Sequence, residues 1–156
     1  MPQFPTPHPA RLALLAAVLA LLPGCRPAPQ AGAARPALTV QAARVVAVPP
    51  GVKDTSVFGT LRNPGARPLR LTGVQTGAAD HAMLMVTRTD ARGLTGMAVT
   101  GALTVPAGGE LVLSDTGDHI MLMGLRAPLR EGETVALTLT DDAGGTHTLQ
   151  APVVKP

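Results

Sequence analysis

The chain has 156 residues, a net charge of +3 and almost no aromatic side chains, with two Phe and neither Tyr nor Trp. That length makes one domain the default, and scattered Arg residues without stacking aromatics exclude a nucleic-acid surface. Seventeen Gly and 16 Pro favour turns and short strands over long helices, so the core has to be built from Leu, Val, Ala, Met and Ile.

The first element in chain order is a leader. Arg11 precedes eleven apolar residues, Leu12 to Leu22. That run is too short to span a bilayer and has the length of a signal-peptide core. It ends in Leu22-Pro23-Gly24-Cys25, which resembles a bacterial lipobox. The expectation is a signal peptide over 1–25, with Cys25 becoming a lipidated N-terminus. The protein is then exported to the periplasm or cell envelope and held to a membrane by its lipid. Residues 26–37, rich in Pro, Ala and Gly, read as a flexible tether, and 38–156 as the folded domain. Cys25 is the single cysteine. Once lipidated, it leaves the domain without a thiol, which excludes dithiol oxidoreductases and Cys-based zinc sites. A blue-copper electron carrier is excluded as well, because that centre needs a Cys thiolate on the metal.

From Leu38 the apolar pattern has a period near two. Strands are expected at 38–48, 55–62, 69–76, 81–89, 94–99, 110–114, 119–125, 134–140 and 146–153. The turns between them carry Asn63-Pro64-Gly65, Asp90–Gly93, Pro106-Ala107-Gly108-Gly109, Asp115–Asp118, Pro128–Gly132 and Asp141–Gly145. Short strands at this spacing point to an all-β, Greek-key sandwich or barrel.

Five of the six methionines, Met83, Met85, Met97, Met121 and Met123, fall within 41 residues, and His81 and His119 lie in the same part of the chain. Two segments share one form: His81-Ala-Met83-Leu-Met85 and His119-Ile-Met121-Leu-Met123. On a strand, alternate residues point to one face, so each segment puts an imidazole and two thioethers on the same side. Thioether sulfur is soft and neutral, and imidazole adds a stronger donor; together they select Cu(I) over hard cations and over Zn(II). The competing reading is that Met on an apolar strand fills a core, with the histidines incidental.

The spacing also resembles a known family. Met97, 21 intervening residues and then His119-Ile120-Met121 resembles the ligand pattern of the PCuAC copper chaperones. Leu61–Gly65, Val105–Gly109, His119–Leu125 and the Pro128-Leu129 and Glu131–Val135 stretches resemble that family too. The likeness runs over roughly Leu38 to Val153. It implies a cupredoxin-like β-fold holding one Cu(I), with ligands at His81, Met97, His119 and Met121. It also implies delivery of copper to the CuA centre of cytochrome c oxidase, with a Sco-type protein as a further partner. The family has about ten residues between its first ligand and the mid-chain Met, whereas 15 separate His81 from Met97. Thr89–Thr95 reads as an insertion in a hairpin that leaves His81 within reach; Met83 or Met85 is the alternative first-strand ligand. Met123 is expected to pack rather than bind, and His147 to face solvent.

No nucleophile–base pair, carboxylate pair or phosphate loop stands out, so an enzyme is not expected. Two readings compete with a chaperone: a copper-sequestering envelope protein, and a structural β-sandwich lipoprotein with a methionine-filled core.

Overall fold

The computed structural model describes residues 37–156. The expected signal peptide, Cys25 and nearly all of the tether lie outside the described residues. Within them, all regular structure is strand: β1 (Thr39–Val46), β2 (Asp54–Arg62), β3 (Leu69–Thr76), β4 (Ala79–Thr89), β5 (Thr95–Val99), β6 (Leu103–Val105), β7 (Glu110–Leu113), β8 (His119–Leu125), β9 (Thr134–Asp141) and β10 (Thr146–Val154). Nine of these stand where the alternation placed them. β6 was not expected: three residues stopped by Pro106 are too few to set a period of two.

The strands pair in the order β5-β4-β8-β2-β1-β10-β9-β3-β6, and β7 joins the edge of β2 beside β8. The pairing is antiparallel except for β1 with β10, which run parallel and tie one layer to the other. The first layer is β5-β4-β8-β2-β1, and the second is β10-β9-β3-β6. Between them lie Val45, Val57, Leu61, Leu84, Ile120 and Leu122 from the first layer and Leu71, Val105, Leu137, Leu139, Leu149 and Val153 from the second. Each such side chain contributes about 1.5–3 kcal/mol on burial. The cluster between the layers contains no aromatic ring and no methionine; the buried Phe58 and Met85 lie on the opposite face of the first layer. The aliphatic core expected from the composition is therefore present, and the methionines are not what fills it.

Polar side chains fix the corners. Asn63 is buried in its turn, where its Nδ2 donates to the carbonyls of Arg67 (2.7 Å) and Val105 (3.3 Å) and its Oδ1 accepts from Gly65 N–H (2.9 Å). At the β9–β10 tip, the buried Asp141 carboxylate accepts from the N–H groups of Ala143 (2.9 Å) and Gly145 (2.8 Å) and contacts His147 Nε2 at 3.1 Å. His147 therefore does not face solvent as expected. Its ring is drawn in to serve the one buried carboxylate of the hairpin.

One irregularity matters for the outward face of the first layer. The β1–β2 register shifts between Gln41 and Arg44, with Ala42 at φ +50°, so β1 carries an extra residue there. Gly59 on β2 lies against this bulge at φ +148°, and a Cβ there would meet Ala43 Cα at 2.9 Å. The bulge brings Arg44 opposite Phe58.

Candidate metal centre

The two His-x-Met-x-Met segments become neighbouring antiparallel strands. β4 and β8 pair rung by rung: His81 with Met123, Met83 with Met121 and Met85 with His119. Ala82, Leu84, Ile120 and Leu122 pack into the core. By strand alternation the two His and four Met therefore share the opposite, outward face. Directly opposed residues have Cα atoms about 4.5–5.5 Å apart, so each rung holds two donors within side-chain reach of each other.

β5 flanks β4 at the edge of the layer, with Met85 opposite Val99 and Thr87 opposite Met97. Met97 thus lies diagonally across from Met85, on the same face. The donors differ sharply in cover: His119 is 3% exposed, Met85 8% and Met97 62%, while Met83, Met121 and Met123 are half-buried and His81 is exposed.

The cover of His119 has named causes. Its Nδ1 lies 3.0 Å from the Gly117 carbonyl. A carbonyl only accepts, so in the neutral ring Nδ1 carries the hydrogen and Nε2 keeps a free lone pair. The same carbonyl accepts from Thr87 Oγ1 at 2.8 Å, and Thr87 N–H donates to Asp118 Oδ1 at 3.2 Å. These bonds pin the β7–β8 loop to β4 beside Met97. Phe58 stands edge-on to the imidazole with ring centroids 6.3 Å apart, and the Arg44 guanidinium lies 5.2 Å over the Phe58 ring. Nothing in the sequence pointed to Phe58 or Arg44, because only the bulge places Arg44 on this side.

The structure brings Met85, His119, Met121 and Met97 together, with Met83 on the adjoining rung. It does not bring His81 to Met97. His81 lies six residues along β4 from Thr87, the partner of Met97, which is about 20 Å at the usual strand rise. The expectation that a longer hairpin leaves His81 within reach is corrected by the register. β4 and β5 pair continuously down from Thr89 and Thr95, which fixes Met97 opposite Thr87 and away from His81. Met123 is likewise not a core residue, but sits half-buried on the outward face opposite His81.

The donor chemistry fits a soft monovalent ion. Among the described residues no three of His, Cys, Asp and Glu converge, whereas imidazole and thioethers do. Thioethers need no deprotonation, and an imidazole held at Nδ1 presents Nε2 to a metal.

Residues 38–153 match the family described as "Putative lipoprotein LpqE-like". The chain belongs to the LpqE-like family. Among curated proteins it is 33% identical over 146 residues to "Putative lipoprotein Lxx21020" of Leifsonia xyli subsp. xyli, covering 92% of this chain and 88% of that one. Among solved structures, this LpqE-like chain resembles the Cu(I) form of DR1885 from Deinococcus radiodurans at 45% identity and a TM-score of 0.63, covering 79% of this chain and 82% of that one. The apo form of DR1885 is similar at 42% identity and a TM-score of 0.60, over 90% and 96% of the two chains. The copper-bound PCuAC domain of PmoF2 shares the fold, at 19% identity and a TM-score of 0.64 over 80% and 97%. The cupredoxin-like fold read from the sequence is thereby borne out, and it is the fold of the solved PCuAC domains.

Proposed function

We propose that this LpqE-like protein is an extracytoplasmic copper(I) chaperone, anchored through Cys25 and holding one Cu(I) on the outward face of β4 and β8. The supporting observation is that the two His-x-Met-x-Met segments pair as adjacent strands with all their donors on one face, away from the core. A methionine-filled sandwich would put those thioethers inside. The similarity to DR1885, whose Cu(I) form has been solved, supports the choice of metal. The names of the LpqE-like relatives support the lipid anchor.

The proposed ligands are His119 through Nε2, Met121, Met97 and a first-strand donor. The register supports Met85 in the last role in place of His81, because Met85 is directly opposite His119. Eleven residues separate Met85 from Met97, close to the spacing of the PCuAC pattern. The site is half open, with His119 and Met85 covered and Met97 free at the sheet edge. An acceptor's thiolates could displace the exposed thioether first and the buried imidazole last. The acceptor the resemblance implies is the CuA centre of cytochrome c oxidase, with a Sco-type protein alongside.

The test is a competition titration of the full-length chain in detergent with Cu(I) against a chromogenic chelator. The expected result is a first equivalent held tightly by the parent and lost in the His119→Ala/Met121→Ala double variant. A parent that does not compete refutes copper binding. Loaded protein is then mixed with the apo CuA subunit and appearance of the CuA spectrum followed; no transfer removes that acceptor.

A further inference from the structure

Three donors on the outward face take no part in the centre just described: His81, Met83 and Met123. His81 is directly opposite Met123, and Met83 lies two residues along β4 on the same side. None of the three belongs to the core or packs against it, and His81 is exposed. The two thioethers are half-buried on the outward face and fill no part of the core between the layers.

We propose that His81, Met83 and Met123 form a second soft-metal station, which takes a monovalent d10 ion, Cu(I) or Ag(I), beside the first. This rests on the reading that the face binds Cu(I), and extends it from one site to two linked sites. The link is the Met83–Met121 rung: Met83 belongs to the lower station, Met121 to the upper, and their Cα atoms are about 5 Å apart. An ion held by His81 and Met123 can take Met83, then Met121, then His119, changing one thioether at a time without leaving the protein.

Cover rather than charge gives the path a direction, since a carboxylate stands at each end, Asp54 opposite Met123 and Asp118 beside Met97. Asp54 is paired with Met123 on β2; its Oδ1 accepts from Gly124 N–H at 3.1 Å, and its carboxylate stands at the lower end. Arg44 stands at the upper end, stacked over the Phe58 that covers His119. A cation arriving from solvent meets the exposed His81 first and reaches the covered His119 afterwards. The two stations lie about 10 Å apart along the strands, so repulsion between two monocations at the effective dielectric constant of about 20 near a protein surface lowers the second affinity about 15-fold. Both can be filled together.

The experiment uses Ag(I), which carries the same charge and is redox-silent, added to the full-length chain while the ring signals of the two histidines are followed by NMR. The expected result is two equivalents, the first moving the His119 signals and the second those of His81. His81→Ala, at an exposed position, is expected to lose the second equivalent alone. His119→Ala is expected to lose the first and keep the second, and Met123→Ala to weaken the second at least tenfold. A parent that takes one equivalent with His81 signals unmoved overturns the second station and leaves the first intact. A parent that takes none overturns the copper reading itself.

Discussion

Replacing Met85 by Leu separates the register-based site from the one His81 would make. Met85 is buried, so its loss could damage the fold as well as the metal site. Leu conserves volume, however, and such swaps cost less than about 1.5 kcal/mol. The thioether is removed while the wall beside His119 stays. Loss of a hydrogen bond to a metal ligand already weakens metal affinity about 10- to 100-fold, and loss of a ligand should cost at least that. Tenfold is about 1.4 kcal/mol and a hundredfold about 2.7 kcal/mol. His81→Ala is the control: the residue is exposed and about 13 Å along β4 from Met85 at the usual strand rise, so it should change the affinity for the first equivalent less than threefold. The assay is Cu(I) competition on both variants, with urea midpoints to show that both are folded. Should His81→Ala lose the first equivalent while Met85→Leu keeps it, the register argument is refuted.

Two stability predictions follow from the buried polar corners. Asn63→Ala leaves the Val105 and Arg67 carbonyls and the Gly65 N–H without their partners, and should cost about 2–3 kcal/mol, read as a lower urea midpoint with an unchanged m-value. For Asp141, burial raises the carboxyl pKa, but the N–H groups of Gly145 and Ala143 and the neighbouring His147 outweigh it, and the net shift is downward. A lowered pKa means stabilisation that is complete above the unfolded value of about 4 and lost as pH falls through the lower folded value. Wild-type stability should therefore drop in that acid range. Asp141→Asn should be less stable at pH 7 and flatter below pH 4; an equal slope in both proteins would remove Asp141 from the account.

Much of this face was legible in the chain. Period-two alternation fixes which residues share a side of a strand, and the repeated His-x-Met-x-Met form put six donors on matching sides of β4 and β8. Alternation does not say which rung meets which, because register is set by hairpin turns and neighbouring strands. That is why His81 was grouped with Met97 and why Met85 remained only an alternative. Arg44 was illegible for a related reason: a single extra residue at Ala42–Ala43 reverses the alternation of β1. His147 looked like a surface residue because its partner, Asp141, has the identity of an ordinary turn aspartate. Its burial comes from the tertiary packing of the hairpin.

The β4–β5 hairpin also acts as a ruler. Because every rung pairs two residues whose numbers have a constant sum, Met85 with Val99 and Thr87 with Met97, the count of residues between a donor on β4 and one on β5 measures their offset. With the tip fixed, moving a donor two residues along its own strand slides it one same-face position from its partner, and moving it one residue turns it inward; residues added evenly at the tip move both strands together and leave the pairing unchanged. Among relatives whose tip has the same length, the interval between the first-strand donor and the mid-chain methionine should therefore vary in even steps, because an odd step turns one donor to the other face.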